Sequence, residues 1–464
     1  MKLSYIRQKL QLSSIQKVVI GIIVVALIGA GTWAVYTTTE KGTLPIIPQI
    51  EGSDEETKKV QVGYGWSVKN EESEAVEEAV SSVKAQLGDN TPEFALLFST
   101  VGYDPAEILN EVRKCLPNTS IYGGTSCLSV QTADGLHVGE VGSLALLAVS
   151  SQNITFGVGG ADIEDFTSAR EAGKAAVQAA IEATGKDGLP KLVLMTAAPG
   201  EEEELLLGIN DIIGNDIPVI GGSSGDNDIT GQWRQFANDN VYSNGISLTA
   251  IYTDLKIGWA FEAGYLRTEN RGEVTRAEGR VIYEIDGRPA AEVYNEWTGG
   301  LVSEELDNGG SVLSKTTIYP LAKVINGEEE EYSLSIHPLS INATDHSLSV
   351  FANVEDGDEL MLMHGDWELL LNRALTTPSK ALESNNISED DVVFGIYTFC
   401  AGTMLSIPED EMPKMPSLVG SVIGDAPFIG TFTFGEQGYI VGVGNCHGNL
   451  VNSMIVFTDN HEGD

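Results

Sequence analysis

The chain has 464 residues, 42% of them hydrophobic and 20% charged, enough for two or three domains with sizeable cores. Its formal net charge of -40 excludes a basic surface that neutralises nucleic-acid phosphates, and it disfavours docking of the folded body on anionic lipid.

Residues 1–17 form a basic leader carrying Lys2, Arg7, Lys9 and Lys17. Residues 18–36, VVIGIIVVALIGAGTWAVY, contain no charge and at about 1.5 Å per residue come close to spanning a bilayer core of about 30 Å. With the positive charge in front of them, they predict one transmembrane anchor that leaves the body outside the cytoplasm. A cleaved signal peptide is the competing reading, though the apolar run is long for one and no clear A-x-A site follows. Residues 37–60 are polar and proline-bearing and read as a stalk.

Residues 70–87 predict an amphipathic helix, and a short motif is then written twice. Residues 94–126 run from the buried-strand pattern FALLFST through a turn and helix to IYGGTS. Asp104, Pro105 and Glu107 supply the cap, first-turn proline and capping-box acid of that helix. Residues 192–224 repeat the order, from LVLMTAA through a glutamate-rich helix start to VIGGSS, 98 residues later. Each unit reads as strand–helix–strand with a parallel pair, followed by a further strand at 142–149 or 245–252. Residues 165–185 predict another helix between the copies.

A third, looser copy runs from VFGIYTFCAG (393–402) through a proline-shortened helix to PFIGTFTFGEQG (427–438) and a last strand at 450–458. Between copies two and three, VIYEIDGRPAAEVYNEW (281–297) reads as strand, Asp-Gly turn and helix from Pro289. Alternating strands and a helix from Gly365 or Asp366 follow. The fold class is α/β, with repeated strand–helix–strand units forming two related sheets packed with helices behind one transmembrane helix.

The repeated corners are the candidate ligand site: Gly123, Gly124, Thr125 and Ser126 in copy one, Gly221, Gly222, Ser223 and Ser224 in copy two, and Gly430 in copy three. Glycine lets backbone approach a ligand, and hydroxyls at the carboxyl end of a parallel strand can bind one. The plainer reading is a turn capped by its own hydroxyls. Arg234, beside Trp233, is a candidate carboxylate contact. Neither glycine pair continues as a phosphate loop, no dinucleotide fingerprint opens a helix, and no histidine spacing marks a metal, so no cofactor is expected. Cys400 with Cys446 and His447 suggests either a buried thiol, a disulfide, or a nucleophile of a hydrolase or acyl-transfer enzyme. A third class is a surface interaction protein without a small ligand.

VGYGWS near residue 63, the YGGTS and IGGSS strand ends, IDGRPAAEVYNEW and IGTFTFGEQG together resemble the FIST sensory domain. The resemblance covers about residues 60–458, divided as an amino-terminal domain (61–270) and a carboxyl-terminal domain (271–458), with 459–464 a polar tail. It implies a small-molecule sensory module, with amino acids as a ligand class and a separate signalling partner, and no established catalysis. By motif match Gly123, Gly124, Gly221, Gly222, Cys400, Gly402, Gly435 and Glu436 carry over, and Thr403 beside Gly402 joins the candidate site. Many members resemble C-x-G-R after the late strand; Thr403 here removes that guanidinium.

Overall fold

The structure is a computed structural model, and it describes residues 60–327 and 331–462. The predicted anchor at 18–36 and most of the stalk lie outside the described residues; among those described, no helix is long and apolar enough to cross a membrane. The fold is mixed α/β. Where the sequence predicts two related sheets, there are three, each of six strands, and a fourth of nine.

Each of the three related sheets has the same internal order. In copy one, Gln61–Ser67 pairs antiparallel with Leu144–Ser150, which pairs with Phe94–Ser99, which runs parallel to Ser120–Thr125. In copy two the same places are taken by Ile154–Asp162, Gly245–Thr253, Leu192–Ala197 and Val219–Gly222. In copy three they are taken by Leu255–Glu262, Asn452–His461, Val392–Cys400 and Phe428–Thr433. The register is conserved between copies: Leu97 lies opposite Gly123, Met195 opposite Gly221 and Tyr397 opposite Gly430.

The last two strands of every sheet come from another copy. Sheet one is completed by the copy-two hairpin Gln235–Ala237 and Asn240–Tyr242. Sheet two takes the copy-three hairpin Glu436–Ile440 and Gly444–Gly448, and sheet three takes the copy-one hairpin Val130–Thr132 and Gly135–His137. Three units therefore exchange arms in a ring, which covers strand edges that would otherwise be open to pairing. The helices Glu72–Leu87, Ala169–Thr184 and Trp367–Glu383 pack their apolar stripes on the sheets. Asp104, Ser168 and Asp366 accept from backbone amides at the starts of their helices, as N-caps do.

Copy three is interrupted after Leu255–Glu262 by an insert that ends before Trp367. The insert has its own nine-stranded sheet, the helix Ala290–Trp297, and a separate apolar core around Val274, Tyr294, Leu321 and Leu360. Arg280 ties it to copy two, reaching Glu202 at 2.7 Å and Glu203 at 2.6 Å. Asn449 ties it to copy three, donating its amide N–H to the Ser335 carbonyl and accepting from the His337 amide.

Candidate functional site

The repeated glycines lie inside the strands, at the joints between copies. A β-carbon on Gly123 would sit 1.8 Å from the Leu97 carbonyl oxygen, and one on Gly221 would sit 1.8 Å from that of Met195. The neighbouring parallel strand therefore leaves no room for a side chain, which gives the glycines a packing reason. Gly124 faces Ser224 and Thr196 of copy two, Gly222 faces Thr433 and Thr398 of copy three, and Gly430 faces Gln131 of copy one.

The hydroxyls beside them tie the joints together. Ser126 Oγ donates to the Ser129 carbonyl and accepts from the Phe432 amide of copy three at 2.8 Å. Thr125 Oγ1 accepts from the Arg234 amide, and Ser224 Oγ donates to the Arg234 carbonyl. The Arg234 guanidinium turns back onto the Gly231 and Trp233 carbonyls. Ser223 Oγ donates to Glu202 and accepts from Gln437. Thr403 Oγ1 donates to the Cys400 carbonyl. The copies converge on packed joints, and the open space lies beyond them.

That space is a cavity of about 470 Å³ between the carboxyl ends of the strands and the insert. Copy one contributes Cys127, and copy two contributes Pro199, Glu202, Asn227, Asp228, Ile229 and Trp233. Copy three contributes Cys400, Ala401, Gly402, Leu405 and Ser406, with Thr433, Phe434, Gly435 and Asn449. The insert closes it with Arg280, Ser311, Leu313, Ser314, Thr317, His337 and Phe351. Of the residues expected from the sequence, Trp233, Cys400, Gly402 and Gly435 line this wall. The strand end of a parallel pair is where α/β folds place ligands, and the size suits a metabolite.

Glu202 starts the helix Glu202–Ile213 and is buried. Burial works to raise its pKa, but His447 and Arg280 beside it more than offset that, so the carboxyl stays below its ordinary range and ionised. Glu202, Glu203 and His447 also bring their ligand atoms within 4.8 Å of one another. Arg280 already supplies the cation between the two carboxylates.

Glu436 is fully buried and accepts from Thr433 Oγ1 at 2.7 Å, from the Gly435 amide and from the Val451 amide. Burial lifts its carboxyl to about 7, against the pull of those bonds and of the Cys400 thiol beside it. Burial and Glu436 in turn push the Cys400 thiol well above its ordinary value, so it is held as the neutral thiol. All four cysteines are free thiols. His447 bonds through Nδ1 to Gln437 and faces Glu202 across 4.0 Å, and among the described residues no hydrogen bond joins it to Cys400. The imidazole that shares a corner with Cys400 is that of His337: both lie within 3.8 Å of the point a Gly402 β-carbon would occupy. His337 Nε2 donates to the Leu313 carbonyl, and burial pushes its pKa down to about 4, leaving the ring neutral.

Residues 93–288 match the FIST N domain and residues 290–439 match the FIST C domain. The chain belongs to the FIST family. FIST domains are sensory modules that bind small ligands in signal transduction, and a cavity shared by both halves of the FIST module fits that role. A curated relative, the uncharacterized protein MJ1623 of Methanocaldococcus jannaschii, is 33% identical over 97 residues, covering 20% of this chain and 18% of that protein. Among solved structures, a cyanuric acid hydrolase from A. caulinodans aligns over 86% of this chain and 100% of its own, with 7% identity and a TM-score of 0.33. T. maritima PurL complexed with ATP aligns over 86% and 72%, with 10% identity and a TM-score of 0.21. Likenesses this slight carry no argument about function.

The wall residues not expected from the sequence are chiefly Glu202, Arg280, His337, Phe351 and Phe434. His337 carried a weak signal: it is the one ionisable residue within the alternating run SLSIHPLSI. Arg280 and Phe351 reach the cavity only because the insert folds back on the repeats.

Proposed function

We propose that this FIST protein senses a small organic solute in the cavity between the strand ends and the insert, and passes its occupancy to a separate signalling partner. The observation that carries this reading is the composition of the wall. All three copies and the insert contribute to it, so a ligand there touches every part of the module at once. Filling the cavity would tighten or loosen the fit of the insert on the repeats, a difference a partner can read. The lining is mainly apolar, with Trp233, Phe351, Phe434 and Leu313 around a few polar groups. That favours a solute with an apolar body over a wholly polar one. Within the amino-acid class suggested by the family resemblance, a large apolar side chain is the part that this lining fits.

Residues 18–36 would anchor the module in a membrane with its body outside the cytoplasm. Protease treatment of intact cells tests that orientation: the body should be cleaved without lysis, and full protection would contradict it. For the ligand, a thermal-shift screen of the full chain against metabolites is the direct experiment. A true ligand at about 100 times its Kd adds roughly 2.7 kcal/mol of stability. A broad metabolite panel that shifts nothing would count against a sensing role.

A further inference from the structure

We infer that the cavity selects a ligand with an ammonium head on an aromatic or aliphatic body, and rejects the same body carrying a carboxylate. This rests on the cavity being the ligand site, and it adds the chemistry of the head group.

The ionisable groups around the cavity point one way. Glu202 and Asp228 line it, and Glu203 pairs with the same Arg280 as Glu202. Arg280 is the one lysine or arginine on the wall among the described residues, and its Nη2 is already bonded to Glu202 and Glu203. Its Nε is buried without a partner. Glu202 and Asp228 on the wall, with Glu203 sharing the same guanidinium, outnumber Arg280, and His447 faces Glu202 from the side at 4.0 Å. His337 on the wall is neutral, and so are the thiols of Cys127 and Cys400, all three because burial disfavours their charged forms. A carboxylate entering here meets a wall on which acidic groups outnumber the one guanidinium, whereas an ammonium is drawn to the same groups.

The walls agree with the charges. Trp233 and Phe434 stand edge to face with ring centroids 6.2 Å apart, and Phe351 lines the insert side. Aromatic faces attract an ammonium and accept an apolar body equally well. Ile229 gives the mouth a further apolar wall at a conformational cost. It has φ 58, a region that a β-branched residue rarely enters, and its side chain is half exposed. The loop is held there by the buried Asp226, whose carboxylate accepts from the amides of Asp228, Ile229, Thr230 and Gln232. A strained, exposed isoleucine held by four hydrogen bonds is not a packing requirement of the core, and contact with a ligand gives it a use.

The test is calorimetric titration of the full chain with four probes that share one body: tryptamine, indole, tryptophan and indole-3-propionate. Tryptamine should bind at least tenfold more tightly than indole, with tryptophan weaker than tryptamine and indole-3-propionate weakest. Asp228→Asn, at an exposed position, should reduce the tryptamine preference several-fold while leaving indole affinity unchanged. Ile229→Asn, which relieves the left-handed strain, should raise Tm and weaken all four probes. Equal or tighter binding of the carboxylates would overturn the head-group inference while leaving the cavity as the site. Failure of all four to bind, in a protein whose metabolite screen yields a ligand blocked by filling the cavity, would overturn this inference and spare the sensing role. An unblocked ligand would end both.

Discussion

At the scale of single residues, the glycine pairs answer to packing. Gly221 has a backbone oxygen where its β-carbon would go, so Gly221→Ala should cost about 1–3 kcal/mol or more in chemical denaturation. Gly420, inside the helix Met415–Ile423, has nothing within 4 Å of that point, and Gly420→Ala should instead gain about 0.5–1 kcal/mol. Ser126→Ala removes the acceptor of the buried Phe432 amide and should cost about 1–3 kcal/mol with ligand affinity unchanged, which separates a joint from a binding contact. Glu436 makes a pH prediction. A carboxyl raised to about 7 keeps a proton that the unfolded chain has lost, so its contribution favours folding near pH 4.5 and fades as pH rises to about 7. His137 and His337, both lowered to about 4, act oppositely, losing stability as pH falls from 6.5 to 4. Subtracting the Glu436→Gln profile removes the histidines. The wild type should lose up to about 3 kcal/mol relative to the variant between pH 4.5 and 7, and a flat difference would contradict the buried-acid account. Residue types alone suggested glycines for turns or ligands. The third option, a backbone oxygen from the next strand, depends on register and is invisible in one chain.

At the scale of elements, what is local was legible. The helices at 70–87 and 165–185, and those starting at Pro105 and after Asp366, follow from apolar spacing and capping residues, and the structure has helices there. The parallel pairs followed from the repeated strand–helix–strand order. The hairpin exchange did not, because each arm leaves its own copy and pairs with another, and no local pattern encodes a partner more than 100 residues away. The third sheet was missed for a related reason: the insert separates its first strand from the rest by more than a hundred residues. The loop at 226–232 is a local element whose role emerges only in space. Asp226→Ala should raise amide hydrogen exchange at Ile229, Thr230 and Gln232 while leaving the strands protected, and should weaken tryptamine binding. Unchanged exchange there would show that the loop holds its shape without the carboxylate.

At the scale of the whole molecule, the module is a ring of three arm-exchanging units with an insert folded over their strand ends. The sequence pointed to the carboxyl ends of the strands, and Trp233, Cys400, Gly402 and Gly435 stand on the cavity wall there. The remainder of the expected set sits in the joints just beneath, since a motif marks a strand end without marking which side of it is hollow. A second depression of about 660 Å³ lies elsewhere, lined by Trp259, Phe261, Glu331 and Val441, and it provides the internal control. Ser314 is exposed and lines the proposed cavity, while Val441 is 70% exposed and lines the other. The decisive measurement is calorimetric titration of the ligand from the metabolite screen into the full chain carrying Ser314→Trp or Val441→Trp, each with its Tm checked. Ser314→Trp should weaken binding at least tenfold and Val441→Trp should leave it intact. The reverse pattern would place the ligand outside the cavity and contradict the account.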